Sequence, residues 1–283
     1  MKPLIIFFVL LLILIIPGYS IDVQNDPIIA KIDSGLIQLV SIQKKIVHIH
    51  PLLKEFHPIA VSNKDQLYIY DYDTLINQYN FIKKSSPPFK LIEGIRASFP
   101  LSVYDNKPSC VVSSDIFDSL NEIVLIFHEF IHCSQANTVE YKIKDNLAIH
   151  QQAMKNSDYM WEINHPFPYS DTLFIKYYDE FLNALKENNE DKIHESRQHL
   201  KTHLNNIDYE YMIWQEWKEG LARYIENRIK RELGLEENFY GREKPFHRIT
   251  FYYGGEAFID YMFKRNTNLV SDLEILYDQI YSP

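Results

Sequence analysis

The chain has 283 residues, 46% hydrophobic and 24% charged, enough for one large core or two modest ones and too apolar for a disordered segment. A net charge of -9 excludes the broad basic surface that binding nucleic-acid phosphates requires. Glycine is scarce (8) while tyrosine (20) and phenylalanine (17) are abundant, which favours a helix-rich fold packed through aromatic rings over a loop-rich or all-β one.

Residues 1–20 read as a signal peptide. Lys2 supplies the positive start, Leu4 to Ile16 an unbroken apolar run, and Gly18 and Ser20 the small residues before a cut after Ser20. The run is shorter than the roughly 20 residues that span a bilayer, so the expectation is a secreted or periplasmic protein with no stable membrane span after cleavage. An uncleaved N-terminal anchor stays open. In an exported, oxidising compartment Cys110 and Cys133 are either one disulfide or two small buried thiols, and the sequence does not choose.

Residues 28 to about 49 have Ile32, Leu36, Leu39, Ile42, Ile46 and Ile49 spaced for one face of a helix, with Pro51 as its stop. The stretch QLYIYD (66–71) alternates like a strand. FPLSVYD and PSCVVSS read as two more strands around a turn at Asp105-Asn106-Lys107. Residues 21–114 thus form a small mixed α/β portion, with PSCVVSS as the expected edge strand of a cleft.

From residue 115 the texture is helical. Ser114 or Asp115 caps a helix carrying Leu120, Ile123, Val124, Phe127, Phe130 and Ile131 at helical spacing, and LIFHEFIHCSQ places His128, Glu129 and His132 on it. Two histidines four residues apart lie one turn apart on one face, so both imidazoles can reach a single ion. Ring nitrogens at about 2.0–2.1 Å supply half of a tetrahedral zinc site. Glu129, offset by one residue, projects beside the ion, where it can take a proton from an activated water. The same three residues also suit a satisfied polar patch, so a third ligand decides.

It does not follow His132 directly: Gln135 and Thr138 occupy the glycine and third-histidine positions of the metzincin pattern. A long helix is expected from about Asp208 to Leu233, stopped by Gly234. Periodicity places Glu219 with Gln215, Glu216, Arg223 and Glu226 on a polar, solvated stripe, and Ile213, Trp217, Leu221 and Tyr224 on the core face. WKEGLARYIE (217–226), however, resembles the W-x-N-E-G-F-A-x-Y-x-E segment of gluzincin metallopeptidases of the aminopeptidase N and leukotriene A4 hydrolase type. That resemblance implies a zincin-like core in which Glu219 is the third zinc ligand, with Gly220, Leu221, Ala222, Tyr224 and Glu226 in register. Lys218 stands where the family has asparagine, and Trp217 is one position nearer the glutamate. YYGGEAF, from Tyr252, resembles the family's Y-E-K-G-A-x segment, which implies Tyr252 as hydrogen-bond donor to the oxyanion and Gly255 as the shared glycine. Gly254 replaces the lysine, and Tyr253 and His247 remain alternative donors.

The resemblance covers about thirty residues in three patches. Residues 133–218 separate His132 from Glu219, far more than in the family, and part of that length reads as an inserted helical hairpin at about 170–204. Asp171 starts its first helix, ENNED breaks it, and a second runs to about Leu204. No G-A-M-E-N segment appears, which removes the basis for an aminopeptidase. His199 and His203, with His194 and Glu195 upstream, lie among Lys192, Arg197, Gln198 and Lys201 and read as a solvated face instead of a second metal site. His48, His50 and His57 show no metal spacing.

The expectation is an α+β, mainly helical protein with a zincin-like catalytic portion over 115–283 and the α/β portion before it. One Zn2+ held by His128, His132 and Glu219, Glu129 as base and Tyr252 as oxyanion donor make an exported peptidase of peptide or protein substrates. Two rival readings are a non-catalytic binding protein on the same fold and a zinc hydrolase of a non-peptide substrate.

Overall fold

The structure, a computed structural model, describes residues 26–282; the expected signal peptide lies outside the described residues. The fold is α+β and 61% helical, with one five-stranded sheet. No helix among the described residues is long and apolar enough to cross a membrane.

Helix α1 (Pro27–Ile46) is capped by the Asp26 carboxylate, which accepts the Ile28 N–H, and Pro27 at its first position needs no partner for a missing N–H. It buries Ile32, Leu36, Leu39, Ile42 and Ile46, and ends three residues before Ile49. The strands are β1 (Ile59–Asn63), β2 (Gln66–Asp73), β3 (Gln78–Ser85), β4 (Arg96–Leu101) and β5 (Lys107–Ser113), in the order β3-β2-β1-β5-β4. Only β1 and β5 run parallel. Ser102–Tyr104, expected to extend a strand, form a 3-10 turn, and Asp105 and Asn106 follow in the left-handed region at φ 53°.

The expected edge strand is corrected by this topology. PSCVVSS is interior, held between β1 and β4, and the edge beside the helices is β4. The reason is legible in burial: Cys110, Val111 and Val112 are all fully buried, which requires cover on both faces of the strand.

Helix α2 (Leu120–Thr138) carries the histidine pair. Its cap is Ser119, whose hydroxyl accepts the Glu122 N–H; Ser114 and Asp115, expected to cap it, instead sit in a 3-10 turn, Ser114–Phe117. Then come α3 (Glu140–Asn146), α4 (Ala148–Lys155), α5 (Trp161–Asn164), the pair α6 (Thr172–Glu187) and α7 (Glu190–His203), α8 (Asn206–Glu232), α9 (Arg248–Arg265) and α10 (Leu273–Tyr281). One continuous apolar cluster runs from Ile32 on α1 through the sheet to Ile280 on α10, so both parts of the chain share a core.

Helix α8 is the axis of the helical part and packs against α2, α4, α7, α9 and α10. Being covered on so many sides, it has no solvated stripe: Gln215, Glu216, Arg223 and Glu226 are all buried, against the periodicity-based expectation. Most of their polar groups are satisfied internally, Gln215 Oε1 and Arg223 Nε being left without a hydrogen-bond partner. Glu216 accepts from the Tyr178 hydroxyl at 2.9 Å and from Arg197 at 2.6 Å. Arg197, expected on a solvated face, is therefore buried as well, and it also donates to the Ile280 carbonyl. Its neighbours on α7 serve structure: His203 bonds the Asp171 carboxylate at 2.7 Å and His199 packs on Tyr177.

The α8–α9 contact depends on two glycines. A Cβ on Gly255 would come within 2.3 Å of the Glu216 carbonyl oxygen, and one on Gly220 within 2.7 Å of the Gly255 backbone. Backbone cannot yield as a side-chain end can, so Gly255→Ala should force the helices apart. The expected loss, about 1–3 kcal/mol in chemical denaturation, is that of overpacking a core; unchanged stability would contradict the close approach.

Candidate metal centre

Among the described residues one group of side chains has a metal-ligating arrangement: His128, His132 and Glu219, whose nearest donor atoms all lie within 4.8 Å of one another. The imidazoles come from α2 and the carboxylate from α8, which crosses it. His128 Nε2 is 3.5 Å and His132 Nε2 3.4 Å from the same oxygen, Glu219 Oε2. N–H···O hydrogen bonds run to about 3.2 Å, so these pairs are long for hydrogen bonds. Two ligands held about 2.0–2.1 Å from a tetrahedral ion stand roughly 3.3–3.4 Å apart. Both His–Glu219 separations thus match two ligands of one divalent ion better than they match hydrogen bonds.

The groups behind them orient both rings. His128 Nδ1 is 3.0 Å from Glu226 Oε2, and His132 Nδ1 is 2.9 Å from Gln135 Oε1. With each Nδ1–H donated outward, both Nε2 lone pairs point to the common centre, the arrangement metal-bound histidines adopt. Gln135 is in turn fixed by donating to the Lys218 carbonyl, and Glu226 by Lys230 at 3.0 Å and Asn238 at 3.2 Å. Sequence reading named neither residue for a role. The signals were positional: Gln135 lies three residues after His132, and Glu226 seven, two turns, after Glu219.

The electrostatics demand positive charge here. Burial lowers the His128 pKa, but the facing carboxylates Glu219 and Glu226 outweigh it and push it up to about 10. Burial likewise opposes ionisation of Glu219, yet the His132 and His128 rings hold its carboxyl well below the usual carboxylate range. Glu226 is held at about 2, with the His128 ring, Arg223 and Lys230 outweighing burial. Glu219 and Glu226 thus stabilise positive charge on the His128 ring, which a cation held by both Nε2 atoms would also supply.

Glu129 sits beside this centre and not in it. It is buried, its Oε2 has no hydrogen-bond partner, and burial raises its pKa against the pull of His132 and His128. Tyr252 on α9 is also brought in: burial and the nearby Glu219 carboxylate raise its phenol pKa, so it is a neutral donor. Its oxygen accepts from Arg248, and Arg223 lies 5.6 Å from its ring on the other helix. The two alternative donors go elsewhere. Tyr253 packs on Phe239, and His247 caps α9 by accepting the Ile249 N–H.

Cys110 and Cys133 are free, buried thiols. Cys133 Sγ is 3.0 Å from Ser98 Oγ on β4, and Ser98 is the cross-strand neighbour of Cys110.

Removing the outer partner of His128 tests its role. Glu226→Gln should weaken zinc binding by roughly 10–100-fold in a competition titration with a chromophoric chelator; unaltered affinity would mean the ring is oriented by packing alone.

Comparison with protein-family models, with characterised proteins and with solved structures finds no match to this chain.

Proposed function

We propose that the chain is an exported zinc-dependent peptidase with a zincin-like core. What carries the reading is the equal approach of two α2 imidazoles to one α8 carboxylate oxygen, at 3.5 and 3.4 Å, with both rings fixed from behind. The packing of the histidine helix α2 against both the sheet and the glutamate helix α8 supports the same reading.

When bound, the zinc ion acts as a Lewis acid that lowers the pKa of water and polarises a carbonyl. The chain supplies the rest. Glu129 accepts the proton of the attacking water and passes it to the leaving amine, a role suited to a carboxylate whose pKa is raised by burial. Tyr252 donates its O–H to the oxyanion, and Arg248, by donating to the phenol oxygen, polarises that O–H. Edge strand β4 offers the backbone of Ser98 to an extended substrate: Ser113 N–H donates to the Ile95 carbonyl and Cys110 N–H turns to Pro58, so in the alternating ladder Ala97 and Phe99 are the residues that hydrogen-bond β5.

Elemental analysis of the purified chain, with cleavage of an unstructured protein before and after chelation, tests the reading. One zinc per chain and activity lost to chelator and restored by zinc are expected. Absence of bound divalent metal, or cleavage indifferent to chelator, overturns it. Stoichiometric zinc without turnover of any peptide would favour the non-catalytic binding protein.

A further inference from the structure

Eight arginines occur in the sequence, and seven have a carboxylate oxygen within 4.0 Å. The exception, among the described residues, is Arg248. It is partly buried at the first position of α9, and its guanidinium donates to the Tyr252 hydroxyl and lies 5.3 Å from that ring. Burial works against its charge, while the Tyr252, Glu219, Tyr211 and Tyr169 side chains around it outweigh burial. The carboxylate nearest in that set, Glu219, is committed to the metal centre.

The charge count around the centre is unbalanced in the same sense. Arg223 and Lys230 outnumber Glu226, which they flank, and Arg248 adds a further positive charge. A partly desolvated guanidinium with no counter-charge is unfavourable unless a ligand brings one. Its planar fork has donors beyond the one used by Tyr252, and these match a carboxylate in a bidentate arrangement. Tyr169, one of the groups around it, also walls an open cavity of about 470 Å3 with Ser170, Ile175, Lys244 and Phe246, which has room for a side chain.

We infer that Arg248 determines specificity by receiving a carboxylate carried by the substrate next to the scissile bond. The inference rests on the peptidase reading for its substrate. The carboxylate has two sources, a free chain terminus or an Asp/Glu side chain, and matched peptides separate them.

The zinc-loaded chain is assayed on fluorogenic peptides ending in a free carboxylate or a carboxamide, each carrying Asp or Asn beside the cleaved bond. A charge-assisted bidentate contact should give a preference in kcat/KM of roughly 10- to 100-fold for one acidic form over its neutral twin. A preference for the free terminus assigns the terminal carboxylate, and one for Asp assigns the side chain; either supports the proposal. Arg248→Gln should bring the ratio close to one, and Arg248→Lys should keep part of it, with thermal melting and zinc content confirming intact protein. Equal cleavage of acidic and neutral twins by the wild type overturns the proposal. So does an Arg248→Gln variant that slows both equally, since that result assigns Arg248 to Tyr252 alone.

Calorimetry of the same peptides on the zinc-loaded Glu129→Gln variant, with and without Arg248→Gln, reads binding without turnover. Tighter binding of the acidic twin that depends on Arg248 would support this inference even if no peptide is cleaved and the peptidase reading falls. Cleavage with no acid preference in binding would do the reverse.

Discussion

Glu129→Gln is expected to keep its zinc and lose roughly 10²- to 10⁴-fold in kcat, the range removed with a general acid–base group. Glutamine has nearly the same volume, so α2 should not shift and His128 and His132, on either side in sequence, should keep their positions. What disappears is a group able to take a proton. The variant should also unfold no earlier than the wild type, because burial already disfavours the ionised carboxylate and one of its oxygens has no partner. Zinc content, melting temperature and steady-state kinetics measured on one preparation therefore separate the chemical role from a structural one. Full activity in this variant would remove Glu129 from the mechanism, and zinc loss would show that it ligates.

Glu219→Ala should abolish stoichiometric zinc and, with it, activity. Two imidazoles alone leave half of a tetrahedral shell to water, so the affinity lost should exceed the roughly 10–100-fold expected for an outer partner such as Glu226. Without Glu219, His128 also loses one of the carboxylates that oppose burial in setting its pKa, and the Glu226 contact alone must hold the ring. Competition with a chelator of known affinity measures the first effect directly. Retention of one zinc with unaltered affinity in Glu219→Ala would show that another residue completes the site, and the convergence of α2 with α8 would lose its functional meaning.

How much of this was readable without coordinates follows from how local each feature is. The placement of His128, Glu129 and His132 on one helix face comes from the 3.6-residue repeat of a single helix, as does the expected turn at Asp105-Asn106 from residues that tolerate a left-handed backbone. Asp171 caps α6 by a bond to an N–H only three residues ahead, Phe174, which makes that start equally local. By contrast, β1 and β3 were not read, since β1 is short and both acquire their identity only by pairing with β2 and β5. The interior position of β5 has the same origin.

The site divides along the same line. Periodicity put Glu219, Glu216 and Glu226 on a solvated stripe because amphipathicity assumes that a helix has an outside, and α8 is enclosed by five others; only the resemblance of WKEGLARYIE pointed to Glu219. The sequence by itself determined the histidine helix and the character of its neighbours. Tertiary structure decided which carboxylate faces those imidazoles, that Glu226 holds the His128 ring, and that Arg248 meets no carboxylate within 4.0 Å among the described residues, while the Gln135–His132 and Arg248–Tyr252 contacts are made within single helices. Helix periodicity is set by bonds between residues four apart, whereas bringing Glu219 and Glu226 to the α2 imidazoles needs segments some eighty or more residues apart to pack, and the close Gly220–Gly255 contact sets how α8 and α9 meet.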